Sequence, residues 1–135
     1  MKRLGLIAIA LAALIGCQTV PEEIPEDLSQ AELIQLAQEA ADAENWEAAA
    51  AYYEAIVERY PEDRAAIATA RYEIAFIEYK QGNLDAAEAG LLELLGMYDF
   101  ESESLPAWPR VLATRVLEQI EEERAEESVG TTVEE

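Results

Sequence analysis

The chain has 135 residues, 29 of them acidic and nine basic, for a net charge of −20, with no histidine and one cysteine. That length suits one small domain, and so acidic a surface repels nucleic acid and anionic headgroups instead of seeking them. Without histidine there is no triad of the usual kind and no usual zinc set, and in the stretch that follows Cys17 only carboxylates, a few hydroxyls and Lys80 remain for chemistry. The carboxylates recur at helical spacing on what read as solvated faces, and no EF-hand, P-loop or Gly-x-Ser-x-Gly pattern occurs. No catalytic residue, metal or cofactor is expected.

Met1-Lys2-Arg3 is a cationic start, and Leu4 to Gly16 follows without a charge. The two have the form of the n-region and h-region of a secretory signal, and the run falls short of the about 20 apolar residues a spanning helix needs. An ordinary signal or a buried helix could use the same run with an incidental cysteine. Its end, Leu14-Ile15-Gly16-Cys17, resembles the bacterial lipobox. The resemblance implies removal of residues 1–16, a diacylglycerol on the Cys17 sulfur and a further acyl chain, palmitate or similar, on its amine. At about 0.8 kcal/mol per buried methylene, such chains hold a protein stably at a membrane. Gln18, where sorting in enteric-type bacteria would read an aspartate, implies the outer membrane and a periplasmic domain.

The segment "QTVPEEIPEDL", Gln18 to Leu28, has two prolines, many charges and no periodicity, which predicts a linker over 17–28. Ser29 and Glu32 have the spacing of a capping box, and Leu33, Leu36, Ala37 and Ala40 then recur at helical spacing, predicting a helix from Gln30 to about Ala43. Asn45 can cap a second helix that must stop before Pro61. Asp63 can cap a third that reaches Gln81, Gly82 marks its stop, and Asn83 can cap a fourth ending near Tyr98. Pro106 and Pro109 suit the start of a fifth, with Val111, Leu112, Val116 and Ile120 as its apolar side. After Ile120, "EEERAEESVGTTVEE" carries too little apolar surface to fold; the domain is set at 29–127 and a disordered acidic tail at 128–135. Strand-like alternation is absent, and the expected fold class is all-α.

These signals repeat. Asn45-Trp46-Glu47-Ala48-Ala49 matches Asn83-Leu84-Asp85-Ala86-Ala87 at an offset of 38, and Leu36-Ala37 matches Ile74-Ala75 and then Leu112-Ala113 at the same offset. One match in an alanine-rich chain is chance, but several sharing one offset indicate an internal repeat. The pattern resembles the tetratricopeptide repeat family. The first unit supplies Leu33, Leu36, Ala37, Ala40, Ala49, Tyr53 and Pro61; the second supplies Ile74, Ala75, Gly82, Ala87 and Leu91. Arg71, Glu78 and Asp99 depart from it, which leaves the facing of the third helix open. The resemblance implies a short array of helical hairpins, two repeats and a C-terminal capping helix, in which small residues let helices approach while Tyr53 and Leu91 fill the gap.

It also implies a groove lined by the first helix of each pair, and a protein partner there. On that face the sequence puts Ile34, Gln35, Gln38, Ala41 and Asp42 in the first unit and Thr69, Tyr72, Glu73, Phe76, Tyr79 and Lys80 in the second. Tyr72, Phe76 and Tyr79 form a stripe at i, i+4 and i+7 that serves equally as an interface or as core. Trp108 can anchor the capping helix or act as a hook. Two function classes follow. One is a lipid-anchored envelope scaffold or adaptor that binds proteins; the alternative is an accessory solute-binding or oligomeric subunit of an envelope transport system.

Overall fold

The computed structural model describes residues 20–131. Cys17, the lipobox and the signal-like run lie outside the described residues. Five helices follow in order: α1 (Gln30–Asp42), α2 (Trp46–Arg59), α3 (Arg64–Lys80), α4 (Leu84–Glu101) and α5 (Ala107–Thr131). There is no strand among the described residues, and the all-α class expected from the helical spacing holds. No helix among them is long and apolar enough to cross a membrane.

Local chemistry sets the boundaries. The Ser29 hydroxyl accepts from the Glu32 N–H while the Glu32 carboxylate accepts from the Ser29 N–H at 2.8 Å, a complete capping box at the start of α1. Asn45 and Asp63 side chains accept from the Ala48 and Ala66 N–H groups at 3.3 and 3.0 Å, opening α2 and α3. Asn83 departs from the expected cap: its amide donates to Glu78 at 2.8 Å instead, drawn to a carboxylate on the preceding helix. α1 and α3 end alike. The N–H groups of Glu44 and Asn45 donate to the carbonyls of Ala41 and Ala40, and those of Gly82 and Asn83 to Tyr79 and Glu78, with positive φ at Glu44 (55°) and Gly82 (80°). Both are Schellman turns, which satisfy carbonyls orphaned at a helix end.

Each helix packs on the next in sequence, and α3 also meets α5. The core has two parts. Leu33, Ala37, Ala49, Tyr53, Ile56, Ala70 and Ile77 join α1, α2 and α3; Tyr72, Ala75, Ala87, Leu91, Leu94, Val116 and Ile120 join α3, α4 and α5. α3 is therefore buried on two sides, which answers the facing left open by Arg71 and Glu78. Positions one repeat apart are buried alike: Ala37, Ala75 and Ala113; Ala49 and Ala87; Tyr53 and Leu91. Leu36 and Ile74, their neighbours, are half-buried. Burying a side chain such as Leu91 or Ile56 is worth about 1.5–3 kcal/mol, so these sites carry most of the packing between hairpins.

Three stretches differ from expectation. α4, expected to end near Tyr98, runs on to Glu101. The 20–28 segment is not a free linker: Ile24 and Leu28 pack on the first core, Arg59 donates to the carbonyls of Ile24 and Pro25 at 2.7 Å each, and the Tyr60 hydroxyl reaches the Leu28 carbonyl at 3.4 Å. Two apolar side chains among many charges were enough to hold it. α5 also runs past Ile120 to Thr131, into the stretch expected to be disordered from 128; Arg124 bonds Asp85 (2.6 Å) and Glu88 (2.8 Å) on α4 and Glu123 accepts from Tyr79 on α3, which holds the turn that follows Ile120. Its buried side is Pro109, Ala113, Val116 and Ile120, whereas Val111 and Leu112, expected to be buried, are exposed.

Candidate functional site

The stripe of aromatics on α3 lies under α5. Tyr72 is buried at 6% exposure, its ring edge-on to Trp108 at 5.5 Å and stacked on Phe76 at 5.8 Å; Phe76 meets Tyr79 at 6.1 Å. The Tyr79 hydroxyl donates to Glu123 at 2.6 Å, which holds its proton and raises its pKa. Tyr72 belongs to the core, and Phe76 and Tyr79 are half-buried at its edge. Of the two readings the sequence left open, an open groove through Tyr72 is therefore corrected to core packing, since the fifth helix covers it. Gln38 and Lys80 are exposed, on α1 and at the end of α3 respectively, with no hydrogen bond joining either to the stripe.

A different groove remains on the same side of the molecule. Ile34 of α1 and Trp108 of α5 stand on opposite walls, Ala66 and Thr69 of α3 form part of the floor, and Tyr53 and Ile56 of α2 lie at its depth. Its volume is about 300 Å³. Asp63 sits at one end, already accepting from Ala66 N–H and from the Gln30 side chain at 3.1 Å, bonds that pull its carboxyl below the usual range. Trp108 keeps 41% of its surface exposed while its ring meets that of Tyr72 nearly at a right angle. It is fixed on one side and accessible on the other. The sequence had placed Ile34 and Thr69 on the groove face and singled out Trp108 separately, but it centred the groove on the aromatics of α3, because spacing along α3 cannot say where a non-adjacent helix lands.

Near this groove one half-buried acid, Glu73, sets the electrostatics. Glu73 on α3 is largely desolvated, which raises its pKa, and no cation faces it. Tyr53 responds: burial first, then the charges of Glu73 and of Asp42 on α1, push its hydroxyl far above the usual phenol range.

A second groove opens on the opposite side, between α2 and α4. Val57, Ile74, Ala75 and Gly90 form its apolar surface, in a volume of about 280 Å³. Gly90 is what lets α4 come so near: a Cβ there would stand 3.0 Å from that of Ala75. Arg71 lies along this groove and pairs with Glu93 of α4. Neither Gly90 nor Arg71 was read from the sequence as a site residue, although a glycine inside a helix such as "AEAGLLE" does signal a close approach.

Comparison with known proteins is sparse. No family model matches the chain. An uncharacterized protein of Treponema pallidum (strain Nichols) is 34% identical over 88 residues, 64% of this chain. The chain spans 35% of the length of that curated relative. No solved structure matches.

Proposed function

We propose that the chain is a scaffold or adaptor lipoprotein of the bacterial envelope, of tetratricopeptide type, which holds a segment of a protein partner in the groove between α1, α3 and α5. The observation that carries this reading is Trp108, packed edge-on against Tyr72 yet 41% exposed at the mouth of that groove. A large ring held on one side loses little freedom on binding, which is the character of an interface anchor. The 38-residue repeat and the equivalent burial of Ala37 with Ala75 and of Ala49 with Ala87 support the family reading. In this reading Cys17 carries the lipid, the outer membrane is the anchoring surface, and no catalytic step is involved.

In-cell crosslinking from a photoreactive residue at position 69, on the groove floor, tests the partner. Crosslinks should form from 69 and not from 118 on the exposed side of α5, and Trp108→Ala should remove them while the helical spectrum is unchanged. Equal crosslinking from both positions sinks the groove. The anchor is tested separately: Cys17→Ser should abolish acyl labelling and release the chain from the membrane fraction, and a wild-type chain that is never acylated rules out the lipobox.

A further inference from the structure

The groove between α2 and α4 has three features that belong together. Its floor is apolar and close-set, from Val57, Ile74, Ala75 and Gly90. Four carboxylates surround it: Glu54 and Glu58 on α2, Glu78 on α3 and Glu93 on α4, all but Glu78 on exposed positions. Only Arg71 among its lining residues is basic, and its charge is already committed to Glu93. Arg71 lines the groove, and its Nε is shielded from solvent and has no hydrogen-bond partner. A buried donor left unmade costs about 1–3 kcal/mol, so the fold gains if the Arg71 side chain turns to present Nε to an acceptor in the groove.

We infer that this groove docks an extended, lysine- or arginine-rich peptide segment of a protein partner, with one large apolar side chain on the floor between Ile74 and Gly90. Charge decides the sign of the partner: three carboxylates beyond the Arg71–Glu93 pair call for cations. Size decides how much enters, because about 280 Å³ is at the small end of ligand pockets, which run from about 300 Å³ upward. Conformation follows from Arg71. A helix spends its carbonyls on itself, whereas an extended segment offers a free carbonyl to the Nε donor once the Arg71 side chain turns toward it. The site is on the face opposite Trp108, so it is a second contact and does not depend on the groove of α1, α3 and α5.

Fluorescence anisotropy on the full chain in detergent tests this, with a labelled peptide of about ten residues that carries one leucine among lysines. Control peptides replace the leucine by glycine or the lysines by glutamates. The leucine–lysine peptide should bind at least tenfold more tightly than either control. Ala86→Trp, at an exposed lining position, should remove that preference by filling the groove, and the pair Glu54→Gln and Glu58→Gln should weaken binding at least tenfold. Arg71→Lys, which keeps the charge near Glu93 but removes Nε, should weaken it several-fold. Trp108→Ala should leave it unchanged, so this site and the opposite groove can fail independently. Equal binding of the glycine control means attraction to the acidic surface alone and overturns the proposal, as does full binding to the Ala86→Trp chain.

Discussion

Glu44 and Gly82 hold the same place one repeat apart, each the left-handed residue of a Schellman turn, at φ 55° and 80°. For an L-residue that conformation costs about 1–2 kcal/mol, and glycine escapes it at the expense of about 0.5–1 kcal/mol of extra chain entropy. Glu44→Gly should therefore stabilise the protein by about 0.5–1 kcal/mol in urea unfolding. Gly82→Ala should destabilise by about 1 kcal/mol; a Cβ at Gly82 would meet nothing within 4 Å, so the loss is one of backbone alone. No change at either position would mean the turns are not left-handed. The pair also marks the limit of reading residues singly. Gly82 announces itself as a stop, while Glu44 does the same work with a side chain that gives no such sign.

At the scale of helices, most of what the sequence predicts is caps and apolar spacing, which are local. Helix order and the ends of α1, α2 and α3 fall within a residue of expectation because Ser29, Asn45, Asp63 and Pro61 act on their own neighbours. What was not legible depends on contacts far along the chain. Tyr72 becomes core only because Trp108, 36 positions on, lands against it, and α5 extends past Ile120 only because Arg124 reaches Asp85 and Glu88. The 20–28 segment docks because Arg59 finds two carbonyls 34 and 35 positions back. The close approach of α3 and α4 belongs here too. Gly90→Val adds a branched side chain where even a Cβ would press on Ala75, and overpacking of this kind costs about 1–3 kcal/mol. Gly96→Val on the same helix, where a Cβ meets nothing within 4 Å, should cost much less, and equal midpoints for the two variants in urea would show that α3 and α4 are not in contact at Gly90.

Over the whole molecule the dominant fact is the charge of −20, much of whose opposition is already spent inside the fold. Arg64 binds Glu101 at 2.6 Å, Arg71 binds Glu93, Arg124 binds two α4 carboxylates, and Arg59 serves the 20–28 segment. Self-repulsion among the remaining acids opposes compactness, and proton uptake relieves it. Single groups set the limits of the effect. Glu73 has a raised pKa from burial, so folding favours its neutral form; its contribution is present at low pH and lost as pH rises through the raised value. Glu32, Asp63 and Glu101 run the other way, held down by hydrogen bonds from Ser29, from Ala66 and from Arg64, so what they contribute is present above the ordinary carboxylate range and lost as pH falls through their lowered values. Because Glu32 and Asp63 are exposed and Glu101 is partly so, solvent screening keeps their share small. Stability should thus rise as pH drops from 7 toward about 5 and decline only in stronger acid, where the hydrogen-bonded carboxylates are protonated. Glu73→Gln should raise the thermal midpoint at pH 7 and reduce the gain between pH 7 and 5. A midpoint that falls steadily from pH 7 downward, or a Glu73→Gln chain with the wild-type slope, would contradict this account, and added salt at pH 7 should reproduce part of the gain by screening the same repulsion.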